Sequence, residues 1–441
     1  MTTAQKSRLL GPLMSIAMVV GLIIGAGVFL LPASIAPFGL NMFLGWALTI
    51  AGFLSLAFAF SAMATRIDGG PYEFVKQAFG EEAAFLTNWS YLMSNWAGGA
   101  AVAVAFAGAL AHFSPALAGP GLVAPLSIAA VLVLTAIACT GARSAGWAQV
   151  VTTALKIVPL LLVVALAAGV LLSGRGTEPF ADTPVTFGNV AGVAAIMAFS
   201  LLGFEAAAFA AGKTADARRI VPLATMLGTA LTGLAYVLAC TAVVMLVPLA
   251  RLSASTQPFA DAVGGSLGAG AGTIVALFVA ISAVGALNAM LLISGEIGFD
   301  MGRDRSVPAA LGRNNRFGMP AIALMVSAAA VILLILMNSS RSLSGLFLFM
   351  VLLTTVSSLF LYAVVALAAL KQPLRPLGKL VVTIAFLFSL WTFYGAGLEA
   401  FLWGLALLVV GWPIRWLSRR LNSSAANPPA AAPAAPPGSS A

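Results

Sequence analysis

Apolar residues in this chain neither alternate nor form one-sided helical stripes; they run in long blocks separated by short polar stretches. A helix needs about 20 consecutive apolar residues to cross the hydrocarbon layer of a bilayer. Twelve blocks approach or exceed that length: 12–37, 42–65, 83–113, 121–141, 145–173, 187–212, 221–247, 268–301, 319–338, 343–370, 377–395 and 397–416. The pattern predicts an all-α integral membrane protein with twelve transmembrane helices. Every loop between blocks is too short for a soluble domain. Residues 1–11 form a short N-terminal segment. The tail 422–441 is rich in Pro, Ala and Ser, has no apolar period, and is expected to be disordered from Asn422 onward.

Composition supports lipid as the solvent. Hydrophobic residues make up 61% of the 441 and charged residues only 8%, against roughly 25% charged in a soluble domain. The net charge of +9 would raise the question of a nucleic-acid partner. The basic residues, however, sit in short loops rather than on one patch, so nucleic acid is excluded. Twelve spans put both termini on one side. Only Arg175, Arg251 and Arg341 then fall on the other side and Lys156 falls within a span; the rest of the 22 Lys and Arg share the side of the termini. Basic loops stay inside, so both termini are expected to be cytoplasmic in a multi-pass protein of the inner (plasma) membrane. Cys139 and Cys240 lie in apolar blocks and read as small buried hydrophobes. The first block is too long for a signal-peptide core and reads as a span.

Two blocks are interrupted. The first contains Gly25-Ala26-Gly27 ahead of Val28-Phe29-Leu30-Leu31-Pro32, and the sixth contains Phe199-Ser200-Leu201-Leu202-Gly203-Phe204-Glu205. Glycine weakens a helix and admits close approach to the backbone. The interruptions lie five spans apart, which divides the chain into halves 12–173 and 187–370, followed by the pair 377–416. A helix broken inside a membrane bares N–H and C=O groups, tolerated only where they line a cavity or bind something. The N–H end suits a carboxylate and the C=O end an ammonium; an amino acid offers both. The competing reading is plain close packing of helices through glycine.

Three ionisable side chains fall within spans: Lys156, Glu205 and Glu296. A charge at the bilayer centre costs at least about 2.5–3.5 kcal/mol, so such residues usually have a partner or a task. Lys156, in the middle of the fifth span, is a candidate for coupling or for stabilising the site, with snorkelling as the alternative. Glu205, just after the second interruption, is a candidate for pH-dependent gating, or else a protonated carboxyl bonded to the backbone. Glu296, beside Asp300, Arg303, Asp304 and Arg305, reads as part of a solvated charge cluster. Ser94 and Asn95 in span 3, and Thr354 and Thr355 in span 10, either line a pocket or bond within the helices. The single histidine, His112, makes no metal site. The scattered carboxylates form no catalytic pair, so neither an enzyme nor a cofactor is expected. No filter loop or ring of charge points to a channel.

The stretch Gly25–Pro32 resembles the first-helix signature of the amino acid–polyamine–organocation superfamily. Gly69-Gly70-Pro71-Tyr72 resembles that family's first cytoplasmic turn. The region Leu202 to Pro222, with Gly203, Glu205, Gly212 and Arg218, is similar to the arginine/agmatine antiporter subgroup, and the resemblance extends through Val382-Thr383-Ile384-Ala385-Phe386-Leu387. It implies a LeuT-like five-plus-five inverted repeat with helices 1 and 6 broken. The substrate carboxylate would lie at Gly25, Ala26 and Gly27, and its amino group near Phe199, Leu202 and Gly203. Lys156 resembles the helix 5 lysine that, in some members, stands where sodium-coupled relatives hold their ion. The chain departs from the subgroup at Leu22 and Gly99, which replace asparagines, at Ala26, which replaces a serine, and at Phe199 and Met290, which replace tryptophans. A pocket so depleted leaves guanidinium donors unpaired.

These readings lead to a secondary active, sodium-independent transporter favouring neutral apolar amino acids, by exchange or by proton-coupled alternating access. A cationic amino acid or polyamine antiporter is the alternative, because Phe199 keeps a π face for a cation. A ligand-binding receptor or structural membrane protein is the alternative of another class. The substrate-binding candidates are Leu22, Gly25, Ala26, Gly27, Asn95, Phe199, Leu202, Gly203, Met290 and Thr354, with Lys156 and Glu205 for coupling and gating. The expected partners are an amino acid and the lipid bilayer, with protons and a homodimer left open.

Overall fold

The computed structural model describes residues 11–67, 70–113, 117, 120–141, 145–209, 214 and 216–426. Lys6, Arg8, Gly69, Arg143, Gly212, Lys213 and the tail beyond Ala426 lie outside the described residues, as does the side chain of Ala26.

The regular elements of the described residues are helices, as a backbone in hydrocarbon requires, since a helix pairs its own N–H and C=O groups. In chain order they are α1 (Pro12–Ile23), α2 (Leu31–Ile35), α3 (Asn41–Ala64), α4 (Pro71–Phe79), α5 (Glu81–Phe113), α6 (Val123–Cys139), α7 (Ala145–Leu172), α8 (Phe187–Ser200), α9 (Ala206–Phe209), α10 (Ala217–Leu246), α11 (Leu249–Ser253), α12 (Pro258–Leu267), α13 (Ala269–Arg303), α14 (Ala321–Met337), α15 (Leu343–Leu370) and α16 (Pro376–Ala426). A 3-10 turn, Ala26–Phe29, joins α1 to α2. Among the described residues, seven helical stretches are long and apolar enough to cross a membrane, and α1, α6, α8 and α14 are shorter apolar helices. The long final helix bends at Gly397 (φ 82°, ψ 160°), at the junction expected near Gly395 to Gly397.

The last helix runs to Ala426. Ser423, Ser424, Ala425 and Ala426 offer no steric barrier to helix.

The helices α5 and α15 pack along one another and are the most enclosed of the long helices, whereas α16 exposes most of its surface. Helix α13 packs on α5, α3 and α8 pack on α15, and α10 packs on both α1 and α3. The interrupted helices therefore end inside the protein, where bared backbone groups can be met by side chains rather than by lipid.

Candidate functional site

Both interruptions are real breaks, and they face each other. Helix α1 ends at Ile23. The Ile24 N–H still bonds to the Val20 carbonyl at 2.9 Å, but the Gly25 N–H turns back to Ile23 at 2.7 Å, so the Gly21 carbonyl loses its helical donor. Gly25 is extended (φ −88°, ψ 169°), and the chain resumes as the 3-10 turn. Helix α8 ends at Ser200. Leu201 and Leu202 donate to Ala198 and Phe199 at 3.1 and 3.3 Å, which tightens the last turn. Gly203 then adopts φ +101°, a conformation that a side chain makes costly. A Cβ on Gly203 would lie 3.3 Å from the Leu22 carbonyl oxygen, and a Cβ on Gly27 would lie 2.3 Å from Phe199 Cε1. The two breaks therefore touch at two points.

Side chains occupy part of the exposed backbone. Glu205 is 1% exposed. Its Oε2 accepts from the Gly203 N–H at 3.1 Å and its Oε1 from the Tyr91 hydroxyl at 2.9 Å. The Tyr362 hydroxyl is buried beside the same carboxylate without a well-formed hydrogen bond. The adjoining Phe204 ring is fixed edge-on against Phe53, Phe60 and Tyr362 at centroid distances of 5.5, 5.2 and 5.1 Å. Across the gap, the Tyr236 hydroxyl of α10 donates to the Ile23 carbonyl at 2.9 Å.

The breaks border a cavity of about 810 Å3. Of the residues expected at the site, Leu22, Gly25, Asn95, Lys156, Leu202, Gly203, Glu205, Met290 and Thr354 line it. Gly27 and Phe199 do not. The Phe199 ring lies over Gly27 and meets Phe347 edge-on at 6.4 Å, which makes it part of the wall rather than a contact surface. Ala26 falls in the 3-10 turn beside them.

Around the breaks the cavity is largely apolar, with Leu22, Leu202, Ala286 and Met290. Its polar groups are partly engaged. The Asn95 amide donates to the Tyr91 carbonyl at 2.8 Å, Thr354 donates to Met350 at 2.6 Å, and Ser94 pairs with Ser358. Lys156 is 2% exposed, lines the cavity, and forms no ion pair among the described residues. A buried ammonium without a carboxylate is costly unless a ligand or the break itself meets it.

The far end of the cavity is charged. Glu296 and Asp300 on α13 and Asp304 just beyond it lie at fourfold spacing, with Arg303 between the last two, and all four line the cavity. Glu296 is exposed, in keeping with a solvated residue, and the surface it exposes lines the cavity. Tyr72 of α4 lies at the same end. Burial, then the Glu81 carboxylate, push its phenol above the ordinary value, so it remains a neutral hydroxyl.

Sequence reasoning passed over Asn88, Tyr91 and Tyr236, and read Asp300 as part of a solvated cluster rather than of the cavity. The spacing of Asn88, Tyr91 and Asn95, three and four apart, marks one polar face of α5 and was a usable signal. Tyr236 had none, since its partner lies 213 residues away.

The chain matches the family model described as amino acid permease over residues 10–418. It is 30% identical over 354 residues to a cadaverine/lysine antiporter of Escherichia coli, covering 77% of each chain. It is 30% identical to an arginine/ornithine antiporter of Pseudomonas aeruginosa, covering 93% of this chain and 90% of the other. It is 24% identical to a putrescine transporter of Haemophilus influenzae, covering 93% and 97%. The chain belongs to the amino acid permease family of the amino acid–polyamine–organocation superfamily, and is a multi-pass membrane transporter rather than an enzyme.

Proposed function

We propose that this chain is an antiporter that exchanges a cationic amino acid for another cationic amino acid or a diamine across the inner membrane. The observation that carries the reading is the charge of the cavity: Glu205, Glu296, Asp300 and Asp304 line it, against Lys156 and Arg303. An excess of carboxylates favours ligands bearing more than one positive charge. Relatives named for cadaverine, lysine, arginine, ornithine and putrescine support the same class.

This replaces the neutral apolar substrate expected from sequence. That expectation weighed only residues near the breaks, where polar groups are indeed missing, and assigned the acidic face of α13 to a solvated cluster. Both features fit one ligand: an amino acid whose side chain crosses an apolar stretch before ending in a charge. Among such ligands an ammonium, with three donors, is easier to satisfy than a guanidinium with five, which favours lysine or ornithine over arginine. The neutral reading keeps one supporting observation, the apolar surface of Leu22, Ala286 and Met290.

The rest of the proposal concerns mechanism. Twelve spans as two inverted five-span halves plus a final pair would put the breaks at matching positions, with the termini and the Asp300–Asp304 mouth cytoplasmic. Rocking of one helix group against the other would then expose the site to each side in turn. In this scheme the 3-10 turn receives the substrate carboxylate, Lys156 stands in for a coupling cation and makes exchange independent of sodium, and Glu205 links transport to pH.

The test is competition in proteoliposomes loaded with lysine, with and without sodium and a pH gradient. Lysine, ornithine, arginine, cadaverine and putrescine should compete regardless of sodium. Competition by leucine and its neutral neighbours alone would overturn the cationic reading.

A further inference from the structure

Helix α16 exposes most of its surface, yet it carries Arg415, whose side chain is 2% exposed. The burial comes from a stripe at fourfold spacing, which keeps its members on one helical face. Leu407, Gly411, Arg415 and Arg419 meet α5 in that order. The Leu407 carbonyl accepts from the Trp89 indole N–H at 3.0 Å. A Cβ on Gly411 would lie 2.5 Å from Trp89 Cδ1. The Arg415 guanidinium lies over the Phe85 ring, 4.6 Å from its centroid. It also pairs with Glu81 at 3.4 Å and with Glu82 at 3.2 Å, and donates to the Glu81 carbonyl at 3.2 Å. Arg419 pairs with Glu82 at 2.7 Å.

The gripped segment is one arm of a corner. Gly80, at φ +87°, turns α4 into α5. On the α4 side, Lys371 at the end of α15 donates to the Ala78 carbonyl at 2.7 Å and lies over the Phe79 ring. Basic side chains from α15 and α16 thus hold both arms. From this corner Tyr72, Phe85 and Asn88 line the cavity. Tyr72 lies within electrostatic reach of Glu81, Arg415 and Asp304, which places the corner at the charged end.

We infer that Arg415 is a positioning residue for substrate entry: by clamping the first turn of α5 it holds the Phe85 ring in the wall of the charged mouth. The planar guanidinium pairs with carboxylates at its edge while its face covers the ring, two tasks that an apolar side chain does not combine. Without it the ring is free to lean into the cavity it already lines, and entry from that end weakens. Entry from the opposite face does not pass Phe85. Removing Arg415 leaves Glu81 and Glu82, each 55% exposed, to water. Arg415→Met, which keeps an apolar stem, should therefore fold.

The inference rests on the proposed reading that the cavity carries the substrate and that this mouth faces the cytoplasm, not on which side chain is preferred. The test uses the full chain in right-side-out and inside-out membrane vesicles, with exchange of lysine, or of leucine where lysine is refused. Arg415→Met should raise the KM at the cytoplasmic face roughly tenfold, equivalent to about 1.4 kcal/mol, and the external KM less than about twofold. In a Phe85→Leu background the same substitution should add less than about twofold, because the ring it acts through is gone. Equal changes at both faces indicate a merely structural arginine and overturn the inference. So does an unchanged KM, a change confined to the external face, or a full effect in the Phe85→Leu background. Should Arg415→Met fail to reach the membrane, Glu82→Gln decides in its place. It should raise the cytoplasmic KM alone by about threefold, and no shift overturns the inference. A wild type that exchanges leucine but not lysine ends the cationic reading, and the test runs on leucine. If lysine is exchanged and Arg415→Met leaves the ratio of the two KM values unmoved, the inference fails and the cationic reading stands. A wild type that exchanges neither ends both.

Discussion

The phenyl ring of Phe199 occupies the space that a side chain at residue 27 would need: a Cβ there would lie 2.3 Å from the ring's Cε1. The contact joins the first residues beyond the α1 break to the last turn of α8, beside the cavity that the breaks border. Its tightness makes it a sensitive place to test whether the two breaks work together.

Gly27→Ala should therefore slow exchange by roughly tenfold or more, since overpacking costs about 1–3 kcal/mol and each 1.4 kcal/mol is a factor of ten. Adding Phe199→Ala should restore part of the rate by clearing the clash. Initial exchange rates of the two single variants and the double variant measure this. A double variant as slow as the product of the singles would mean that the contact is incidental.

Lys156→Ala should remove most lysine exchange while the protein still elutes as a single species in detergent. The reason is geometric: the ammonium is buried, borders the cavity, and has no carboxylate partner among the described residues. Uptake curves with and without sodium provide the check, and kinetics and ion dependence identical to wild type would remove Lys156 from the mechanism.

Glu205→Gln leaves one carbonyl oxygen where two carboxylate oxygens now accept from Gly203 and Tyr91. A buried donor left unpaired costs about 1–3 kcal/mol, so the variant should melt at a lower temperature, and its pH profile of exchange should be flatter. A profile that superimposes on the wild-type curve would reduce Glu205 to a structural clasp.

Neutralising the acidic face with Glu296→Gln, Asp300→Asn and Asp304→Asn together should raise the KM for lysine several-fold at low ionic strength. The effect should shrink as salt rises, because a Debye length of about 10 Å at 0.1 M screens a solvated mouth. The apparent affinity for leucine, if any, should not follow. Measuring KM across a salt series separates long-range attraction from direct contact.

Much of the architecture could be read from the chain. Lipid leaves the backbone few options, so the apolar blocks pointed to an all-helical membrane protein, and Gly27 and Gly203 marked the breaks because a side chain would clash with Phe199 at Gly27 and would meet the Leu22 carbonyl in a positive-φ conformation at Gly203. Lys156, Asn95, Met290 and Thr354 were legible as cavity residues for similar reasons of position. What escaped depends on tertiary contact. Phe199 reads as an aromatic platform until Gly27 is found beneath it. Glu296, Asp300 and Asp304 share a helical face in sequence, but only packing against α5 decides that the face looks into the cavity. The bond from Tyr91 to Glu205 spans 114 residues, beyond any local pattern.

The wall of Phe199, Gly27 and Phe347 has a thermodynamic consequence. A membrane with a continuous pore through it discharges whatever gradient the cell maintains, at a rate set by the width of the pore. In the exchanger proposed above, the packing of Phe199 against Gly27 and Phe347 withholds such a path at the breaks, so each molecule released on one side would be one first captured on the other.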